Sequence, residues 1–317
     1  MTFKLKALAA LALAAGLAWT VLGRLEPLWP ALDIVNNGLP FLLAGLLAVL
    51  LLAAFARDWR LIAASMALLA FNLWLAISSL QGAAAEAVPG SERTLRVITF
   101  NVWYRNDRMQ DVAKFLAASD ADIVTLQEVS RAQAAMLRET LKPELPFVAG
   151  EANIVILSKH PILATGRIDR PGFPEWNSLM LRWVRLDLDG SPIEFAGVHL
   201  ARPFYPTLLQ EDVEALTDFV LRRRDPLIVA GDYNMTPWSE KLARYTYVTG
   251  LKRYNSFHQT WPMRRGRIPL LPLAATDNVF ASNHFAKLGV EGAPRLGSDH
   301  KAVITDLALA APPHQAR

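Results

Sequence analysis

The chain of 317 residues has no cysteine. That rules out a disulfide framework and a cysteine-ligated structural zinc site, but it does not decide export, since a large exported domain can be stable without disulfides. Strong charge is also missing, with 33 basic residues against 29 acidic ones. Setting aside five basic and three acidic residues in the first 80 positions leaves 28 and 26, and a remainder near +2 is not broadly built for polyanions. Internal repeats and low-complexity tracts are absent, so the length allows one large domain or two ordinary ones.

Charge is most completely missing at the front. Ala7 to Gly23, Ile34 to Ala56 and Leu61 to Leu80 contain no charged residue, and each approaches the ~20 residues of a bilayer-spanning helix. They are apolar all round, whereas a soluble bundle needs polar stripes at helical spacing. The expectation is a membrane anchor of three spans over residues 1–80, with Pro40 at a helix entry and Trp19, Trp29, Trp59 and Trp74 mostly near span ends. Lys4, Lys6, Arg57 and Arg60 fall on one side, while Arg24 faces Glu26 and Asp33 on the other. The positive-inside bias then puts the amino terminus in the cytoplasm and everything after Leu80 on the periplasmic or extracellular side of an inner or plasma membrane. If the first segment were a cleaved signal peptide, the domain would still end up outside.

Residues 81–92, QGAAAEAVPGSE, read as a linker, residues 93–310 as a soluble α/β domain and residues 311–317 as a tail. Hydrophobic patterning predicts strands at Leu95 to Asn101, Asp122 to Glu128, Ile154 to Leu157, Leu179 to Leu188, Ile193 to Leu200, Leu227 to Asp232, Asp277 to Ala281 and Ala302 to Leu307. Helices are predicted at Met109 to Ala118 and Thr207 to Leu221. Strands arrive both as pairs and as crossovers, which fits two mixed sheets with helices outside.

The central stretch is LIVAGDYNMTPW, Leu227 to Trp238. Three branched aliphatics make a buried strand, Gly231 lets the backbone open, and Asp232 and Asn234, two apart, share a face. Pro237 ends the strand and Trp238 is expected to pack under the turn. Polar residues close the other strands too: Asn101, Glu128, His199, Asp277, and Asp299 with His300 before the last. Singly, each has a structural reading as a turn former, a surface charge or a satisfied core histidine. Together, carboxylates, carboxamides and imidazoles at several strand ends describe a metal-assisted hydrolytic site. Hard oxygen ligands favour magnesium, with manganese or calcium as alternatives.

TFNVW (Thr99 to Trp103), LQEV (Leu126 to Val129), ILSKHPI (Ile156 to Ile162), GVHL (Gly197 to Leu200), GDYN (Gly231 to Asn234), TDNVF (Thr276 to Phe280) and GSDHKAV (Gly297 to Val303) occur in that order. In this the chain resembles the endonuclease/exonuclease/phosphatase (DNase I-like) superfamily, and the three apolar spans with MTPW (Met235 to Trp238) and TWP (Thr260 to Pro262) resemble a bacterial membrane-anchored branch of it. The resemblance implies a four-layer α/β/β/α sandwich. It makes Glu128, with Asn101 beside it and Asp299 in support, the metal residues. Asp232 would orient or deprotonate water, Asn234 would hold a phosphoryl oxygen, and His300 would work as an imidazole held by Asp277. His199 would stabilise the phosphorane or protonate the leaving oxygen. Asn153 and Arg202 are the candidate substrate-binding residues. Tyr233 and Asn278 depart from the commoner residues of the family without removing a catalytic group.

The expected activity is hydrolysis of phosphodiester or phosphomonoester bonds beside a lipid bilayer, by metal-assisted attack of water on phosphorus. A phospholipid-type substrate and nucleic acid are both open, as are an exported nuclease and a non-catalytic binding module, and no obligate protein partner is inferred. Basic clusters stand at Arg222 to Arg224, Lys252 with Arg253, and Arg264 to Arg267. The last, with Trp261 and Met263, is a candidate lipid-facing or substrate loop.

Overall fold

A computed structural model describes residues 2–80, 93–170, 172, 179–255, 258–266 and 268–309. The expected linker, residues 81–92, and the tail, residues 311–317, lie outside the described residues, as does Arg267. The chain forms two compact units. Residues 1–81, 202–210 and 235–244 make the first, and residues 82–201, 211–234 and 245–317 the second.

The first unit is built on helices α1 (Thr2–Arg24), α2 (Asp33–Asn36), α3 (Leu39–Phe55) and α4 (Trp59–Leu80). Phe3–Arg24 and Trp59–Leu80 are each long and apolar enough to cross a membrane. The expected middle span, Ile34 to Ala56, is broken: the segment ending at Asn36 and the helix Leu39–Phe55 are bent by 57°, and they make a third span only if counted together. Gly38 caps α3 and Pro40 occupies its first turn, where a missing N–H costs nothing. The polar residues before the break are held locally, Arg24 Nη2 donating to Asn36 Oδ1 at 2.7 Å and Asn36 Nδ2 to Gly23 O at 3.1 Å.

Between α1 and α4, Thr20 and Asn72 bond each other at 3.0 Å, a polar contact that fixes helix pairing where apolar surface alone does not discriminate. Residues 235–244 belong with these helices. Trp238 packs against the Leu39, Leu42, Leu46 and Ala76 cluster. Lys241 Nζ and Arg244 Nη2 each meet one oxygen of the buried Glu26 at 2.5 Å. Ser239 Oγ donates to Asp33 Oδ2, also at 2.5 Å. Glu26 and Asp33, read from the sequence as loop charges, are therefore spent on these partners.

The second unit carries two six-stranded sheets. The first runs β13-β14-β1-β2-β4-β3, with β1 (Arg93–Asn101), β2 (Ile123–Val129), β3 (Phe147–Ala149), β4 (Asn153–Ser158), β13 (Phe285–Gly292) and β14 (Val303–Leu309). The second runs β5-β6-β7-β8-β12-β9, with β5 (Ile162–Asp169), β6 (Leu179–Leu188), β7 (Ser191–His199), β8 (Leu227–Asp232), β9 (Lys252–Arg253) and β12 (Asp277–Ala281). A small hairpin, β10 (Arg264–Arg265) with β11 (Ile268–Pro269), stands apart.

The central strands are buried on both faces, which is why they read as continuous aliphatic runs. Val97, Ile123, Ile156, Phe195, Ile228 and Val279 fill the space between the sheets, each fully buried side chain contributing about 1.5–3 kcal/mol. Helices α5 (Met109–Ala118) and α6 (Arg131–Thr140) cover the outer face of the first sheet through Val112, Leu116 and Leu137 packed with Ile98 and Phe100. Helix α7 (Pro206–Leu221) buries Leu216 and Phe219, and Tyr245, midway along α8 (Glu240–Thr249), meets Phe280 edge-on. This is the expected four-layer α/β/β/α sandwich.

Candidate active site

Strand register alone gathers the site. Strand β7 runs parallel to β8 with His199 opposite Asp232, and β12 runs antiparallel to β8 with Asp277 opposite Asp232. Three polar residues thus stand in one row on three neighbouring strands. Across the sandwich β1 faces β8 and β2 faces β7, which brings Asn101 and Glu128 to the same end. Strand β14 pairs with β1 so that Val303 lies opposite Thr99, and the loop just before it delivers Asp299 and His300. Ser298 pins that loop, its Oγ donating to Asn101 O at 2.6 Å and accepting from His300 N at 3.0 Å.

His300 is 7% exposed and Asp277 fully buried. The imidazole Nδ1–H donates to Asp277 Oδ2 at 2.8 Å, and Nε2 lies 3.7 Å from Asp232 Oδ2. Burial works against a charged imidazole here, but the carboxylates of Asp277 and Asp232 outweigh it and push His300 up to about 10. Burial also raises Asp232, to about 7, against the pull of His300. Ligand atoms of Asp232, Asp277 and His300 lie within 4.8 Å of one another. In this trio the imidazolium already supplies the cation between two carboxylates.

The neighbouring acidic pair is different. Asp299 is raised by its burial and further by the charge of Glu128, while His300 draws it down. Two carboxylates that repel each other at a half-buried strand end form the donor set that a hard divalent ion stabilises, so these residues fit a metal. Glu128 also takes a left-handed backbone, φ 54°, at an irregularity in the β2–β4 pairing. Trp103 (φ 60°), Asn153 (φ 61°) and Asn234 (φ 52°) are left-handed as well. Such strain costs of order 1–3 kcal/mol per residue and gathers where side chains must be aimed. Asn101 Nδ2 donates to Asp232 Oδ2 at 3.0 Å and reaches Glu128 Oε1 at 3.4 Å, while its Oδ1 accepts from Trp103 N. The amide therefore ties the two carboxylates together. His199 Nε2 stands 3.8 Å from Glu128 and 3.9 Å from Asp232.

The sequence model of the endonuclease/exonuclease/phosphatase family matches residues 98–300, a span that contains every residue of this cluster. The chain belongs to that family.

Solved structures with the same fold include endonuclease/exonuclease/phosphatase family proteins of Bacteroides thetaiotaomicron (16% identity, TM-score 0.57, covering 69% of this chain and 99% of that one) and Beutenbergia cavernae (23%, 0.56, 71% and 74%). A third is D. rerio TDP2 complexed with a single-strand DNA product (16%, 0.57, 68% and 98%). No curated protein matches the chain. Family membership supports a phosphoester hydrolase.

The remaining endonuclease/exonuclease/phosphatase motif residues are placed unevenly. Asn234 sits beside Asp232, its Nδ2 donating to Leu200 O at 2.9 Å and its N–H to Asp232 Oδ1 at 2.9 Å. Asn153 opens β4 opposite Val129, next to Glu128. Arg202 is exposed and falls within the first unit.

Other contributors carry weaker sequence signals. Ser298 was within reach, inside GSDH. Arg170 and Asp212, 42 residues apart, form a buried ion pair at 2.8 Å that grips the chain around His199: Arg170 Nη2 donates to His199 O at 2.6 Å and Asp212 Oδ2 accepts from Ala201 N at 2.7 Å. No local pattern announces such a pair. Thr260 supports Asp277 in the same way, its Oγ1 accepting from Asp277 N at 3.3 Å.

Proposed function

We propose that this protein is a membrane-anchored, divalent-metal-dependent phosphoesterase that hydrolyses phosphodiester or phosphomonoester bonds by attack of water on phosphorus. The observation that carries the reading is the convergence of Asp232, Asp277, His300, His199, Asn101 and Glu128 at one end of two facing sheets. Glu128 and Asp299, with Asn101 beside Glu128, would hold the ion, magnesium by donor chemistry. It would supply positive charge to the phosphoryl oxygens and acidify water.

The chain's own groups have distinct work. Asp232, raised to about 7, is suited to take a proton from the attacking water near neutral pH. His300, kept charged by Asp277, donates toward a phosphoryl oxygen and stabilises the charge that builds on it. Asn234 adds a neutral amide donor. His199, on the neighbouring strand, delivers the proton that the leaving oxygen needs as its bond to phosphorus breaks.

Anchoring rests on the apolar helices, and the bent pair is read as one span. The basic bias of Lys4, Lys6, Arg57 and Arg60 supports a second unit outside an inner or plasma membrane. Phospholipid-type or lipid-linked phosphate is the substrate class this location favours. A nuclease is the second reading, supported by the likeness in fold to TDP2 with its single-strand DNA product and opposed by the near-neutral charge. Hydrolysis of a lysophospholipid, double-stranded DNA and bis-p-nitrophenyl phosphate, each with magnesium and with chelator, tests the reading. Failure on all three in magnesium would refute it.

A further inference from the structure

One and two strands out from the catalytic row, at the same end of the sheets, lies a cavity of about 310 Å³ lined by Arg131, Glu151, Asn153, Arg167, Asp169 and Arg182. Register fixes its place. Asn153 pairs with Val129, the residue after Glu128, and Leu181 pairs with Val198, the residue before His199. With strands about 4.8 Å apart, the lining on β4 and β6 begins about 5 Å from β2 and β7, and the lining on β5 stands about 10 Å from β7.

Three guanidiniums face two carboxylates in it. Arg167 and Arg182 are direct cross-strand partners on β5 and β6, and like charges directly opposite each other weaken a sheet. Arg167 is answered by Asp169 at 2.9 Å. Arg182 is half-buried, and burial together with the charge of Arg167 holds it below the usual arginine value, against a smaller opposing pull from Asp169 and Glu151. Among the described residues its guanidinium makes one hydrogen bond, from Nε to Ile154 O at 2.9 Å. Room for that side chain comes from Gly150. Its φ is 98°, and a Cβ there would lie 2.6 Å from both Arg182 Nε and Ile154 O. Like charges opposed across two strands, with the terminal nitrogens of half-buried Arg182 hydrogen-bonded to no carboxylate among the described residues, are the arrangement that an anion relieves.

We propose that this cavity is a second phosphate subsite, binding an anionic group carried by the same molecule whose phosphate ester is hydrolysed beside Asp232 and His300. The proposal rests on the phosphoesterase reading for its second half. It narrows the substrate to molecules with two phosphate groups about a sugar's width apart. Arg182 grips the second group through its forked nitrogens, and Asn153 adds a neutral donor.

The test uses the full chain in detergent and two probes, thymidine 5′-(p-nitrophenyl phosphate) with and without a 3′-phosphate. Wild-type protein should favour the doubly phosphorylated probe on the order of tenfold, through KM. Arg182→Gln should abolish the preference and Arg167→Gln should reduce it. Equal kcat/KM for the two probes in the wild type, or an undiminished preference in Arg182→Gln, would overturn the proposal. Arg167 is largely exposed, so if Arg182→Gln fails to fold, an undiminished preference in Arg167→Gln overturns it instead. Calorimetric titration of inorganic phosphate in chelator separates the subsite from the reaction. Binding by the wild type that either variant weakens, without hydrolysis of either probe, would refute the phosphoesterase reading and leave the subsite standing. Hydrolysis without preference and without phosphate binding would do the reverse.

Discussion

Replacing Asp277 by asparagine keeps the shape of the His300 clamp and removes its charge. The lift of His300 from 6.5 to about 10 corresponds to about 5 kcal/mol of preference for the charged imidazole, shared among Asp277, Asp232 and Asp299 and net of an opposing burial cost. Asp277 is the largest contributor that raises it and the one bonded to it, at 2.8 Å. Both side chains are almost wholly buried, so solvent screening takes little away. A hydrogen bond to a charged group contributes about 1.5–3 kcal/mol, and the loss should therefore lower Tm by roughly 5–10 °C near pH 6. Because the folded value lies above the unfolded one, the clamp's stabilisation is complete below about 6.5 and disappears as pH rises through about 10. Thermal unfolding of wild type and Asp277→Asn in chelator, from about pH 6 to about pH 11, should show the Tm gap closing at the alkaline end. The same variant should lose on the order of 10²-fold in kcat on bis-p-nitrophenyl phosphate. A gap that is constant with pH, or that widens as pH rises, would refute the charged-imidazole account.

His199→Ala should be crippled on an alkyl phosphodiester, by on the order of 10²-fold, yet retain appreciable activity on a p-nitrophenyl ester, whose leaving group needs little protonation; equal losses on both would instead indicate ground-state phosphate binding. Gly231→Ala should destabilise by at least about 2 kcal/mol, because a Cβ at φ 156° would sit 2.0 Å from Val198 O on the paired strand; an unchanged Tm would show that the β7–β8 pairing gives way more easily than its geometry implies. A reporter fused after Arg317 should work only if it functions outside the cytoplasm, and activity confined to a cytoplasmic reporter would overturn the proposed sidedness.

Much of this architecture is written locally in the sequence. Strands Leu227–Asp232, Leu179–Leu188 and Asp277–Ala281 and helix Met109–Ala118 fall where their patterning predicts them, since each is a buried run or a stripe with clear ends. Strands β5 and β13, by contrast, lie on sheet edges with mostly exposed or half-exposed residues, so hydrophobic pattern barely marks them. Helix α6 carried a readable sign, the Ser130 and Gln133 capping box. The use of Glu26 and Asp33 by Ser239, Lys241 and Arg244 depends on residues some 200 positions away, which no window of sequence contains. The site shows the same division. Its row of polar residues was legible as motifs, whereas the Arg170–Asp212 clasp and the Arg167–Arg182 opposition arise only from register.

The central claim is that Glu128 helps to hold a divalent ion without which phosphate esters are not hydrolysed. Its most direct test is the rate on bis-p-nitrophenyl phosphate as a function of magnesium, for wild type and Glu128→Gln. The account predicts no wild-type turnover in chelator, recovery on adding magnesium, and a variant that needs markedly more of the ion because a charged oxygen donor has become neutral. Full wild-type turnover in chelator, or an identical magnesium dependence in the variant, would contradict it.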